Sequence, residues 1–165
     1  MDELNFFDET YRKELVRTDV EFGIYDPGNN QPALTTLDKN HYQARVKNAK
    51  RLSVQFVAVD HNIPLLRENG DTDNSCDGML YVPDDYLCFV ELKDKMSDWA
   101  SDAVGQLQTT IKHFKKHHDS DVFKRRYAFA VNSQRPQFHH SFKEMIQQFR
   151  NVTQFNLRFK TEIEL

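Results

Sequence analysis

Apolar residues recur at helical spacing in four parts of the chain. The clearest pattern covers about residues 97–117, where the spacing is 4, 3, 4 and 3 along Ala100, Val104, Leu107, Ile111 and Phe114. Ser97 or Asp98 can cap the first turn of this helix, and its last turn carries lysines that suit the negative end of the helix dipole. Weaker patterns predict three more helices, over residues 4–17, 38–49 (with Asp38 as N-cap) and 142–149.

Runs rich in β-branched and aromatic residues predict the strands. These runs cover residues 20–25, 53–60, 76–82, 86–93, 127–131 and 155–163. The polar stretch 67–74 is typical of a loop. The long helix connects strand 86–93 to strand 127–131, and a right-handed crossover makes those two strands parallel. The predicted fold class is therefore α/β, with a small mixed β-sheet flanked by helices.

The turn at residues 83–85 determines the register of the predicted hairpin. If the turn holds these three residues, Val82 pairs with Tyr86 and Asp77 faces Glu91. Facing residues of an antiparallel pair have Cβ atoms roughly 4.5–5.5 Å apart, and like charges there destabilise the sheet. Lys93 lies on the same face because strand side chains alternate. The pattern favours a cation between the two acids and predicts a metal-dependent hydrolase.

Length and composition indicate one globular domain. We expect it to span residues 1–165, with a core at about 53–131, an N-terminal extension of helix and strand over 1–50, and a C-terminal helix and strand over 139–165. Charged residues make up 28% and hydrophobic residues 39%, which is a globular composition. No apolar run is long enough for a membrane span, and the acidic start is unlike a signal peptide. Cys76 and Cys88 are predicted to be buried thiols on the face opposite the acids, in a cytoplasmic protein.

Charge is distributed unevenly, although the net charge is only −3. Residues 67–98 carry nine acidic and three basic residues, a net −6, and residues 112–126 carry six basic and two acidic residues, a net +4. This predicts an acidic metal site beside a basic rim that binds nucleic acid. The alternative is that both blocks are ordinary solvated faces. The predicted nucleic-acid-binding residues are Lys112, Lys115, Lys116, Lys124, Arg125 and Arg126.

The order of these residues resembles a known family. Asp77, then Glu91-Leu92-Lys93, then a helix with Gly105-Gln106-Leu107, is similar to the core of the PD-(D/E)xK phosphodiesterase superfamily. The match covers about residues 53–131. The sequences Ser-Cys-Asp, Val-Glu-Leu-Lys and Gln-Leu-x-x-Thr-Ile also resemble a set of small bacterial proteins. The resemblance implies a restriction-endonuclease-like αβββαβ core and a nuclease, and membership of this family favours DNA over RNA as the substrate.

The resemblance also implies a role for each site residue. Asp77, Glu91 and the backbone carbonyl of Leu92 would hold Mg²⁺ or Mn²⁺, which prefer oxygen ligands. Lys93 would orient the attacking water or stabilise phosphate charge. Gln106 would lie beside the lysine, and helix geometry favours it over Gln108. A homodimer or a partner subunit is compatible with this assignment.

The chain departs from the family pattern in one respect. Family members often carry another acid on the helix before the first strand, but residues 41–50 contain no Asp or Glu. Glu14 and Asp60 are the candidate replacements. The departure leaves open an alternative function, a catalytically degenerate protein that acts as an interaction or regulatory subunit. A small-molecule hydrolase using the same metal pocket is a third possibility.

Overall fold

The computed structural model describes residues 3–134 and 142–165. These residues form a mixed α/β fold with two sheets and two α-helices. In chain order the elements are β1 (Glu21–Tyr25), β2 (Leu34–Thr36), β3 (Ala44–Lys47), β4 (Gln55–Ala58), β5 (Gly78–Val82), β6 (Tyr86–Lys93), α1 (Ala100–His117), β7 (Arg125–Asn132), α2 (Lys143–Thr153), β8 (Asn156–Arg158) and β9 (Glu162–Glu164).

The larger sheet has the strand order β4-β5-β6-β7-β8. Strands β4, β5 and β6 are antiparallel neighbours, and β7 and β8 run parallel to β6. Val82 pairs with Tyr86 and Gly78 with Val90, so the predicted three-residue turn and its register are confirmed. The parallel arrangement of β6 and β7 around α1 is confirmed as well.

The smaller sheet, with the order β2-β1-β3-β9, was not predicted. The helix predicted over 38–49 is wrong, because Asp38 caps only the single 3₁₀ turn Lys39–His41 before the chain enters β3. In β3 the buried Ala44 and Val46 alternate with more exposed residues, which is the period of a strand. The single last strand predicted over 155–163 is also wrong, because it is divided into β8 and β9, which belong to different sheets.

The N-terminal segment packs without forming the predicted helix. Within residues 4–17 only Glu9–Tyr11 form a 3₁₀ turn. Phe6 is fully buried, 5.3 Å from the ring of Phe114, and its backbone N–H donates to His118 Nε2. Leu15, which a helix over residues 4–17 would place on one apolar face with Leu4, Phe7 and Tyr11, is 90% exposed. Leu4, Phe7 and Tyr11 pack against the core without forming an α-helix. The described residues before β4 contain no α-helix to begin the predicted αβββαβ order.

Each face of the larger sheet is covered by a different layer. Both helices pack on one face, where Met79, Leu87 and Phe89 meet side chains of α1 and α2. The smaller sheet packs on the other face against Leu80 and Val90, so helices cover one face only. The two layers bury β6 on both sides, and only its last residue is less than fully buried.

The two cysteines lie on different faces. Both are free and fully buried, as predicted. Cys88 packs on the side of the smaller sheet, but Cys76 packs on the helix side, because the chain bends at Asp77 before β5 begins. The prediction that Cys76 points away from the acids is therefore wrong.

The helices begin and end close to the predicted limits. Helix α1 begins at Ala100, and Trp99 occupies its N-cap position without a side-chain capping bond, so neither Ser97 nor Asp98 caps it. Helix α2 continues four residues beyond the predicted end at residue 149. The first three residues of the predicted C-terminal region 139–165 lie outside the described residues. None of the described helices is both long enough and apolar enough to cross a membrane.

Gly78, next to Asp77 in the chain, is required by packing. A Cβ added there would lie 2.4 Å from the Phe56 ring, which is itself almost fully buried. We expect Gly78→Ala to lower the free energy of unfolding by about 1–3 kcal/mol, because the ring must move in a filled core. Urea denaturation measures the change. The double variant Phe56→Leu/Gly78→Ala should recover part of the lost free energy of unfolding. If the single variant Gly78→Ala and the double variant are equally unstable, the Phe56 ring is not the cause.

Candidate functional site

Asp77 and Glu91 lie together at one end of the β5–β6 hairpin. The Leu92 N–H donates to Asp77 Oδ2 at 2.7 Å, which fixes the orientation of that carboxyl group. The N–H and C=O of one strand residue point to the same side, so the Leu92 carbonyl also faces the edge next to Asp77. Glu91 is only 3% exposed, and its Oε1 atom has no hydrogen-bond partner among the residues that the structure describes. The predicted pair of acids is brought together, with an unsatisfied carboxylate oxygen in the interior.

Burial shifts the pKa values of both acids upward. Desolvation raises the pKa of Asp77 to about 6, against the lowering effect of the Leu92 N–H and of Glu91. Desolvation also raises the pKa of Glu91 well above its usual range, and the Asp77 charge adds to this while Lys93 opposes it. Two carboxylates in a poorly solvated site favour either a bound proton or a bound cation.

Lys93 lies between a carboxylate and an amide. Its Nζ atom is 3.1 Å from Glu91 Oε2 and donates to Gln106 Oε1 at 2.6 Å. The Gln106 amide nitrogen donates in turn to the Ser75 carbonyl at 3.3 Å. The predicted placement of Gln106 beside the lysine is therefore confirmed. Gln108 instead lines a groove between α1 and the end of α2.

Thr110 connects α1 to Cys76, the residue before Asp77, and sequence reasoning missed it. It is fully buried, donates from Oγ1 to the Gln106 carbonyl at 2.8 Å and accepts from the Cys76 N–H at 2.8 Å. One hydroxyl thus joins the turn of α1 that presents Gln106 to the residue before Asp77. A polar residue at a buried position of the helix was the available signal, but its partner depends on tertiary packing.

Of the two acids that could replace the one missing from residues 41–50, Asp60 lies beside the site and Glu14 lies far from it. Asp60 accepts from Ser75 Oγ at 3.0 Å, its N–H donates to the Cys76 carbonyl, and its charge raises the pKa of Asp77. Glu14 contacts Thr35 and lies near Gln55, at the far end of β4, so it does not belong to the site.

Asp26, in the connection after β1, also raises the pKa of Asp77 and was not predicted. The smaller sheet that brings it close was itself absent from the sequence prediction. Among the described residues, no three His, Cys, Asp or Glu side chains form a group able to hold a metal ion. The oxygen donors that could hold a metal ion here are those of Asp77, Glu91 and the Leu92 carbonyl, with the charges of Asp60 and Asp26 further out.

The predicted basic rim lies at the other end of the sheet. Arg125 and Arg126 pair with the start of β6, whereas Lys93 is its last residue, roughly 20 Å away at the rise of a strand. Arg125 is paired with Asp85, Arg126 donates to the Phe123 carbonyl, and Lys115 donates to the Thr153 carbonyl. The expectation that this block flanks the acids is therefore wrong. The three other predicted members, Lys112, Lys116 and Lys124, are exposed.

A cleft of about 330 Å³ opens beside Lys93. Its walls include Asn74, Ser101, Gly105 and Gln106. The chain matches no protein-family model, no curated protein and no solved structure. The chemistry of the site is therefore inferred from its own residues: the cleft is lined by the Lys93 ammonium group, the Asp102 carboxyl group and the neutral polar side chains of Asn74, Ser101 and Gln106, and the acids Asp77 and Glu91 lie next to Lys93.

The raised pKa values predict how stability depends on pH without metal. An acid whose pKa is raised by folding stabilises the fold below its unfolded pKa and loses that effect as pH rises through the folded pKa. For Asp77 this window runs from 3.8 to about 6. In EDTA, Asp77→Asn should be more stable than the wild type by about 1–3 kcal/mol near pH 8, and similar to it near pH 4.

Thermal denaturation across this pH range measures the difference. Asp121→Asn is the control, because that carboxyl group is 81% exposed and lies at the remote end of the sheet. If the difference in stability between Asp77→Asn and the wild type is the same at all pH values, it does not arise from the raised pKa of Asp77.

Thr110→Val tests the connection between α1 and Cys76. Valine keeps the shape of threonine but leaves the buried Cys76 N–H without its acceptor, so we expect a loss of about 1–3 kcal/mol in the free energy of unfolding. Thr110→Ser retains the hydroxyl and should keep this amide protected in hydrogen exchange. Fast exchange of the Cys76 amide in the serine variant, or slow exchange in the valine variant, would argue against the contact.

Proposed function

We propose that this protein is a metal-dependent nuclease that hydrolyses phosphodiester bonds in nucleic acid, with DNA favoured over RNA. The observation that carries the proposal is the contact of Lys93 with both Glu91 and Gln106, next to Asp77. The order β4-β5-β6-α1-β7, with β7 parallel to β6, supports a PD-(D/E)xK arrangement for this half of the molecule.

The residues present fit a hard divalent cation. Glu91 Oε1 is buried and has no hydrogen-bond partner in the described part of the chain, Asp77 is close by, and the Leu92 carbonyl faces the same edge. These are oxygen donors of the kind that Mg²⁺ and Mn²⁺ prefer. Such an ion, when bound, lowers the pKa of water and offsets phosphate charge.

Each protein group has a separate task in this proposal. A lysine ammonium group has three N–H donors, and in Lys93 two of them are directed to Glu91 and Gln106. The third remains for the attacking water or for a phosphate oxygen, where positive charge stabilises the transition state. Gln106 holds the ammonium group in place, and the Leu92 N–H holds the Asp77 carboxyl group.

A second candidate is a non-catalytic interaction or regulatory protein that keeps the same fold. It is favoured by the small donor set, because the described residues provide no third acid placed to share a metal with Asp77 and Glu91. Metal binding without cleavage would support this candidate.

The proposal is tested by Mn²⁺ calorimetry together with cleavage assays on single- and double-stranded DNA and RNA. We expect Asp77→Ala and Glu91→Ala to abolish both metal binding and cleavage. Lys93→Met should keep metal binding and reduce cleavage on the order of a hundredfold or more. Asp121→Ala, which removes a remote exposed acid, should behave like the wild type. Absence of metal-dependent stabilisation in the wild type would refute the nuclease assignment.

A further inference from the structure

Gly105 occupies the middle of α1, where glycine is unfavourable. Glycine loses more backbone entropy on folding than alanine and weakens a helix interior. Two structural causes can require glycine, a positive φ or a neighbour too close for a Cβ atom. Neither applies within residues 3–134 and 142–165, because Gly105 is not among the positive-φ residues and an added Cβ would meet no atom of these residues within 4 Å. The described part of the fold therefore contains no contact and no backbone conformation that requires glycine at this position.

The position of Gly105 in the cleft suggests another cause. It lines the cleft with Lys93 and Gln106, and Ser101 lies one turn earlier on the same side of α1. Without a Cβ at Gly105, the helix backbone itself forms this part of the wall. Glycine at such a point permits close approach of a ligand to the backbone.

We propose that the substrate strand crosses α1 at Gly105, with its sugar–phosphate backbone against the helix. This inference rests on the nuclease function proposed above. Gln106, the next residue, holds Lys93 at 2.6 Å, so a strand over Gly105 passes directly beside the candidate reacting group. Ser101 and Asn74, on the walls, can donate hydrogen bonds to phosphate oxygens. The acidic wall residue Asp102 lies 4.0 Å from Lys95, which offsets its charge.

The test separates stability from activity. Gly105→Ala should raise Tm by roughly 2–4 °C, because alanine is the better helix former, and should lower DNA cleavage on the order of tenfold or more. Gly105→Leu should abolish cleavage. Mn²⁺ affinity should be unchanged in both variants, because Gly105 supplies no metal ligand. A residue with only a structural role would not combine higher stability with lower activity.

Thr109→Ala provides the matched control. Thr109 is one turn further along α1 and lines the separate groove near Val152 and Thr153. Alanine also raises helix propensity there, and cleavage should stay at the wild-type level.

Three outcomes would overturn the inference. If the wild type cleaves nucleic acid and Gly105→Ala cleaves it equally well, the strand does not cross at Gly105, but the proposed nuclease function still stands. A lower Tm in Gly105→Ala would assign the glycine a structural role. A wild type that cleaves no nucleic acid would reject the proposed function and this inference together.

Discussion

The register between β5 and β6 is the constraint on which the site depends. Because Val82 pairs with Tyr86 across a three-residue turn, Asp77 and Glu91 reach the same end and the same side of the sheet. A slip of one residue would send every side chain of one strand to the other face. Asp84 adopts a positive φ in this turn, and Arg125 of β7 contacts Asp85, so the turn is also held from outside the hairpin.

Burial gives this geometry its electrostatic character. Strand β6 lies between two layers, so Glu91 is an acid in a nearly dry interior, and within residues 3–134 and 142–165 only one of its oxygens is paired. An unpaired charge in such a place is costly unless a proton or a cation neutralises it. Lys93 supplies part of that neutralisation at 3.1 Å, but the same ammonium group also contacts Gln106. Lys93 therefore does not fully neutralise the two carboxylates, and one more positive charge would stabilise them.

Local patterns predicted the centre of the chain better than its ends. The hairpin, α1, β7 and the placement of Gln106 follow from signals a few residues long, namely a turn, an apolar stripe and a helix flank. The smaller sheet was not predicted because β3 and β9 are short, and they pair with each other although they are distant in sequence. The helix predicted over residues 4–17 is wrong for a related reason, since its apolar residues are held by partners distant in sequence, as Phe7 is by Phe114 of α1. Asp26 and Thr110 were missed because their relation to the site exists only after these elements pack.

Folding and occupation of the site are thermodynamically coupled. In the unfolded chain Asp77 and Glu91 are separated and hydrated, so a proton or cation that binds between them binds mainly the folded state. A ligand with this preference stabilises folding by an amount that grows with its concentration relative to Kd. Protons and metal ions compete for the same carboxylates, so raising the pH removes the protons and favours binding of the metal ion. The folded protein is least stable when neither a proton nor a metal ion is bound between the two acids. The loss of stability arises at the buried Glu91 Oε1 atom, which is then charged and poorly solvated.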